Sequence, residues 1–270
     1  MYNGDMKAFM KRLLAEESID AFGIIPFSEC KVIHPALLAR SCPDWEPKSV
    51  IMLAVPYYTG EHPERTVSLY AVPRDYHLYF RGLYERLEGT LKEAFPASHF
   101  KGFADHSPIG ETGAAAKAGL GIIGDKFQLI HKTYGSYIFL GEILTDAVFE
   151  EYDTTEVRFC SHCGGCGAAC PVTEGCLSEM TQRKGELDAE TERLIRNTGI
   201  AWGCDLCRTS CPMNCGIKET PIPFFREELT TAVTSDEVET MPKELFRQRA
   251  YSWRGRNTIL RNLKVLETTE

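Results

Sequence analysis

Residues 160–171 read Cys160-Ser-His-Cys163-Gly-Gly-Cys166-Gly-Ala-Ala-Cys170-Pro171. This is C-x2-C-x2-C-x3-C-P, the spacing that wraps thiolates around a [4Fe-4S] cluster. An interrupted second copy follows, with Cys176 alone and then Cys204-x2-Cys207-x3-Cys211-Pro212. The doubling favours two clusters over one and predicts a redox protein. Zinc is the alternative, because C-x2-C pairs also build tetrahedral thiolate sites. Three cysteines at successive x2 spacings with two Cys-Pro endings fit a cubane better. Disulfides fit least: Met1-Tyr-Asn-Gly-Asp5 opens no apolar signal segment, which predicts a cytoplasmic chain whose thiols stay reduced.

The doubled run resembles that of two-cluster ferredoxins, in which the fourth cysteine of each run serves the other cluster. That resemblance implies Cys160, Cys163, Cys166 and Cys211 for one cluster, and Cys176, Cys204, Cys207 and Cys170 for the other. Cys176 is placed by position alone. Cys30 and Cys42 read as small buried hydrophobes, and Cys215, one turn beyond Cys211, as a substitute ligand.

The 270 residues suffice for one large core or two moderate ones. Hydrophobic residues make up 43% of the chain, and no apolar run nears the roughly 18 residues of a membrane span, so no membrane partner is expected. The formal charge of −8 does not advertise a nucleic-acid binder. One local exception is the stripe Lys243, Arg247, Arg249, Arg254, Arg256, Arg261 and Lys264, set against the single acid Glu244. Such a stripe meets phosphates or is simply a solvated helix face. Oligomeric state is not legible.

Ahead of the cysteines the pattern is α/β. Met6, Phe9, Met10, Leu13 and Leu14 recur at helical spacing, and the short apolar runs 21–27 and 50–55 predict strands of a mixed or parallel sheet. Tyr76, Tyr79, Phe80, Leu83, Tyr84, Leu87 and Leu91 form the core stripe of a long helix. Strands are expected at 99–104, 127–130 and 136–144, with a small-residue helix at 112–118 between them. The expected class is an α/β (α+β) domain of mixed sheet and helices at 1–155, an α-helical ferredoxin-like two-cluster module at 156–226, and a polar linker with a basic C-terminal helix at 227–270. Within the last part, 227–240 reads as a loose linker.

Gly119-Leu-Gly121-Ile-Ile-Gly124 matches the dinucleotide fingerprint G-x-G-x-x-G. That fingerprint has meaning only after a strand and at the start of a helix, where N–H groups hold a pyrophosphate. Here Ala114 to Ala118 precede it as a helix, so the glycines predict a helix end and a tight turn with close backbone approach.

Several segments in order, roughly from Asp20 to Asn214, carry a more specific resemblance. They are Arg74-Asp75-Tyr76-His77, Ala104-Asp105-His106-Ser107-Pro108, 118–124, Tyr134-Gly-Ser136 through Asp146, the cysteine pattern, Cys176-Leu-Ser178-Glu-Met-Thr181 and Gly203-Cys204-Asp205-Leu206-Cys207. Together they resemble the epoxyqueuosine reductase family, in a compact member without the C-terminal helical-repeat domain. The resemblance implies a cobalamin-dependent reductase related to reductive dehalogenases. Two [4Fe-4S] clusters would feed a base-off corrinoid, and residues 1–155 would hold cofactor and substrate. It also implies a flavodoxin- or ferredoxin-type electron donor and, as substrate, an epoxide in a tRNA anticodon base. The absence of Asp-x-His-x-x-Gly, the motif supplying a lower histidine ligand, agrees with base-off binding.

Asp105 matches the family's catalytic aspartate, the acid for the departing oxygen; the competing reading is a cap on the following helix. Asp75, Tyr76, His77, Ser136 and Ser178 are the cofactor-binding candidates, although Asp75 also suits a helix N-terminus and the serines suit turns. Trp202 is expected to shield the second cysteine group. Thr112 and Leu69 stand where the family carries arginines, and Gly124-Asp125-Lys126 replaces Gly-Lys-Asn, so the reductase class is clearer than the substrate. A paralogous corrinoid reductase or dehalogenase acting on a small molecule, and a non-catalytic two-cluster carrier, remain open.

Overall fold

The computed structural model describes residues 5–268. Met1 to Gly4, which bear on the signal-segment reading, lie outside the described residues. The chain forms two compact units, one from 1–56, 77–163 and 216–222, the other from 57–76, 164–215 and 223–270. The expected three-part division differs from this, because 57–76 and 223–270 both belong with the cysteine-bearing stretch 164–215.

The first unit runs α1 (Met6–Glu16), β1 (Phe22–Pro26), α2 (Pro35–Ser41), β2 (Ser49–Pro56), α3 (Tyr76–Ala94), β3 (Phe100–Phe103), α4 (Glu111–Lys117), β4 (Ile122–Ile123), β5 (Leu129–Ile130) and β6 (Ile138–Thr145). Asp5 caps α1 by accepting the Lys7 N–H at 2.8 Å, and Met10 and Leu14 are its buried stripe. The main sheet has order β1-β2-β6-β3. Every pairing in it is antiparallel, not mixed or parallel as expected. The misleading signal is β2, buried at all its positions: helices cover both faces of the sheet, so the polar alternation of a half-exposed antiparallel strand is missing.

On one face Ala114, Ala115 and Ala116 of α4 pack with Val50, Met52, Ala54, Ile138 and Leu144. On the other face α3 lies so close that a Cβ on Gly141 would stand 2.4 Å from the Phe80 ring, and one on Gly102 2.3 Å from Tyr84. Gly119, at φ +76°, follows the end of α4. A Cβ on Gly121 would meet the Ile130 carbonyl oxygen at 2.4 Å. The glycine run therefore ends a helix and admits a neighbouring strand, as its order in the sequence predicts.

The second unit contains α5 (Gly165–Ala168), α6 (Leu177–Gln182), α7 (Ala189–Thr198), α8 (Leu206–Thr209), α9 (Ser235–Thr240), α10 (Lys243–Phe246) and α11 (Arg256–Glu267). Asp188 caps α7 and Gly199, at φ +68°, ends it. The buried Asn262 of α11 donates to the Thr181 and Ala201 carbonyls, each at 2.7 Å. Fully buried Trp202 lies edge-on to Tyr251, with ring centroids 6.3 Å apart. It is a core residue of this unit, whatever it also shields.

The expected loose linker at 227–240 is ordered. Thr66 accepts the Val233 N–H at 2.8 Å, and Thr234 with Glu237 closes a capping box on α9. The basic stripe is likewise not one helix but is spread over α10, a 3-10 turn (Ala250–Arg254) and α11. Polar composition concealed both features, because their anchors are single side chains at capping and turn positions. Among the described residues, no helix is long and apolar enough to cross a membrane.

Candidate active site

In the first unit, β3 ends in the turn 104–107, and Asp105 takes φ +64°. Aspartate tolerates this left-handed conformation better than most residues, but it is uncommon and often marks function. The side chain is 66% exposed, and its Oδ2 lies 3.7 Å from His77 Nε2. The competing helix-cap role does not hold: the N-cap of α4 is Gly110, with no side-chain cap. Asp105 is thus an accessible carboxyl beside an imidazole, on a turn that its own capping does not explain.

Beneath that turn is a group that the motifs did not disclose. Glu142 lies on β6, paired with Met52 of β2 and Phe103 of β3, and is fully buried. The Ser107 hydroxyl donates to Glu142 Oε1 while accepting the Ile109 N–H at 3.1 Å. Glu111, in the first turn of α4, faces Glu142 and the Asp105 backbone. Burial, opposed by polar interaction with both, pushes the Glu111 carboxyl up to about 7. Burial first, and the Glu111 charge second, raise Glu142 well above the carboxylate range. The legible signal was a lone acid in the apolar strand Ile138-Phe-Leu-Gly-Glu142-Ile-Leu. Of the other first-unit candidates, Ser136 is buried just ahead of β6, and His77 is exposed.

In the second unit α5, which carries Cys166, packs against α8, which carries Cys207. Cys204 senses the charge of Cys207 and Cys176, and Cys207 that of Cys176 and Cys170. Burial, aided by the neighbouring charges of Asp205, Cys207 and Cys176, pushes the Cys204 thiol up to about 11. Cysteine sulfurs on packed short helices are the donors that iron–sulfur clusters take, so the donor set fits a thiolate-bound cluster.

The loop holding this set is tightly built. Asp205 is buried, accepts the Leu69 N–H at 2.6 Å and lies 3.6 Å from Arg65 Nε. Gly203, at φ +77°, leaves no room for a Cβ against Ser68. Of the remaining second-unit candidates, Asp75 is buried, with its N–H on the Gln248 carbonyl at 2.8 Å. Tyr76 is half-buried, and Ser178 Oγ accepts from Gln182 Nε2 at 3.3 Å. The half-buried Ser178 and the buried Ser136 of the first unit are the kind of neutral polar group that suits corrinoid amides.

Cys160 and Cys163 belong to the first unit, Cys166 and Cys211 to the second. Cys160 lies with Asp125 and His162, the three ligand atoms within 4.8 Å of one another, and Asp125 hydrogen-bonds His162. Cys215 is exposed. Cys42 is buried, and burial, seconded by the charge of Glu142, pushes the Cys30 thiol up to about 12, in keeping with their reading as small hydrophobes.

In the basic stripe, Arg256 donates to the Met241 carbonyl at 2.7 Å and lies over Phe246, and Arg261 donates to Asn262 Oδ1 at 3.0 Å. These two arginines hold the fold. A groove of about 600 Å³ nevertheless runs past Lys184, Arg254, Arg256 and Arg261.

Comparison with known proteins places these features in one family. The family model "Epoxyqueuosine reductase QueG, DUF1730" matches residues 43–106. The chain is 32% identical to the epoxyqueuosine reductase of Listeria monocytogenes, with 96% of this chain and 73% of that one aligned. Across several curated relatives it spans from 51% to 81% of their length. The solved epoxyqueuosine reductase of Streptococcus thermophilus superposes with a TM-score of 0.75 at 26% identity, over 97% of this chain and 80% of that one. An epoxyqueuosine reductase crystallised with an epoxyqueuosine-modified tRNA-Tyr stem loop shares the fold, with a TM-score of 0.76 at 22% identity over 96% and 81% of the two chains. The chain therefore belongs to the epoxyqueuosine reductase family, a family of oxidoreductases.

Proposed function

We propose that this chain is a cobalamin-dependent iron–sulfur reductase that removes the oxygen of an epoxide, with epoxyqueuosine in tRNA as the substrate and Asp105 as proton donor. The observation that carries the reading is the packing of α5, which carries Cys166 of the first run, against α8, which carries Cys207 of the second. Spacing and the family resemblance assign Cys160, Cys163, Cys166 and Cys211 to one cluster and Cys176, Cys204, Cys207 and Cys170 to the other. Asp75, Tyr76, His77, Ser136 and Ser178 are the groups that would hold the corrinoid. When bound, the two clusters and the corrinoid supply two electrons and the low-valent cobalt that reduces the substrate carbon.

The chain's own residues handle the proton. Converting an epoxide to an alkene and water consumes two electrons and two protons, and the leaving oxygen is a poor leaving group unless protonated. Asp105 is accessible, and His77 beside it can return a proton after each turnover. A flavodoxin- or ferredoxin-type protein is the proposed electron donor. The tRNA reading is supported by the stem-loop complex of the relative and by the groove past Lys184 and Arg254. One observation favours a small-molecule substrate instead: Leu69 is buried and Thr112 uncharged where the family carries arginines.

Anaerobic reconstitution tests the reading. Iron and sulfide should fill two clusters, and a corrinoid should bind with the spectrum of the base-off form. Intact clusters with no corrinoid bound would make the chain an electron carrier, and stoichiometric zinc without sulfide would remove the redox reading.

A further inference from the structure

Two carboxyls in contact in a buried place need a proton between them. Glu142 Oε2 and Glu111 Oε1 are both buried with no hydrogen-bond partner among the described residues, while Glu142 Oε1 is taken by the Ser107 hydroxyl. The groups facing the pair supply no cation. Tyr84 of α3, Ser107 of the turn, Cys30 ahead of α2 and Asp105 are neutral or acidic. Tyr84 spends its own proton on the Phe103 carbonyl at 2.5 Å. Lys117, whose charge reaches Cys30, is paired with Glu29. Two bare carboxylates would repel one another with no counter-charge, whereas a carboxylic acid donating to a carboxylate satisfies both.

We propose that Glu111 and Glu142 share one proton and that the pair is a positioning device for Asp105, with neutral Glu142 donating to ionised Glu111 and Glu111 accepting the Asp105 N–H. This rests on the reading of Asp105 as the acid. The left-handed turn at Asp105 is intrinsically unfavourable, and the hydrogen bond from its N–H to a fixed carboxylate is an anchor that holds it. When the shared proton leaves, the two carboxylates separate, the anchor moves and the Asp105 carboxyl loses its place beside His77. The pair thus sets an alkaline limit on turnover without touching substrate.

The test uses the reconstituted full-length protein in two measurements. Infrared spectroscopy at neutral pH should show the carbonyl stretch of a protonated, buried carboxyl, altered in both Glu142→Gln and Glu111→Gln. The pH profile of turnover should fall on its alkaline side in the parent. In either variant an amide N–H replaces the shared proton and does not titrate, so the alkaline limb should move up by about one pH unit or more. If one variant fails to fold, the other carries both readouts. Absence of the carboxyl band, or an alkaline limb that stays put in the variants, overturns the proposal. Asp105→Asn separates the two claims. Retained turnover there sinks the acid assignment. Lost turnover, combined with an unmoved limb in the glutamate variants, sinks the pair and leaves the acid assignment standing.

Discussion

The two units each set acidic groups of one kind near one another and call for different chemistry. In the first, Glu111 and Glu142 press two carboxyls together beneath Asp105, and one proton suffices to relieve them. In the second, the charges of Cys170 and Cys176 bear on Cys204 and Cys207, and the proposed occupant is an iron–sulfur cluster. On the proposed reading the sheet-bearing unit handles protons and the cysteine-bearing one electrons. A carboxyl pair is relieved by one proton held in place, whereas a thiolate-bound cluster would pass electrons.

The contrast breaks most readily on the electron side. Cys204→Ser should abolish turnover and lower iron content by about half, the loss of one cluster of two. Full iron in that variant would place the ligand elsewhere, with Cys215 the first alternative. On the proton side, Asp105→Asn should reduce turnover by about 100-fold or more, the usual scale for losing a general acid, with iron content and corrinoid binding unchanged. A comparable loss of cofactor would make Asp105 a structural residue instead.

Smaller effects sharpen the comparison. Glu111 has a folded-state pKa raised from the ordinary 4.5 to about 7, so between those values the folded protein holds the extra proton. The stability this proton contributes is therefore fully present below about pH 4.5 and is lost as pH rises through about 7. Denaturant titrations at several pH values should show this slope in the parent and a flatter one in Glu142→Gln. Gly121→Ala should lower stability by about 1–3 kcal/mol, because its Cβ would stand 2.4 Å from the Ile130 carbonyl oxygen. An unaffected Tm would mean that the backbones are not in close approach. The smallest effect is expected at the groove: neutralising Lys184 and Arg254 should weaken stem-loop binding modestly and reduce its logarithmic salt slope by about 0.7 per charge. An unchanged slope would leave the groove without phosphate contacts.

How much was legible in the sequence follows from how each feature is encoded. The cysteine run is local, and its spacing carries the chemistry, so the oxidoreductase class and the short helices of 164–211 were readable and the ligands could be proposed. The same holds for the glycine run 119–124, whose order after a helix marked a helix end. Sheet direction was not readable, because β2 is buried on both faces and loses the alternation that would have marked it antiparallel. The Glu111–Glu142 pair was missed because it joins a helix to a strand across the sheet, and only the isolated acid at Glu142 hinted at burial. The ordered segment 231–240 was hidden by its polar composition, although Thr234 and Glu237 spell a capping box.

The measurement bearing most directly on the central claim is single-turnover reduction of an epoxyqueuosine-containing stem loop. It uses the reduced, reconstituted protein, followed by mass analysis of the nucleoside. The expected product has lost one oxygen, in the parent and not in Asp105→Asn. An intact epoxide in the presence of reduced clusters and bound corrinoid would contradict the account.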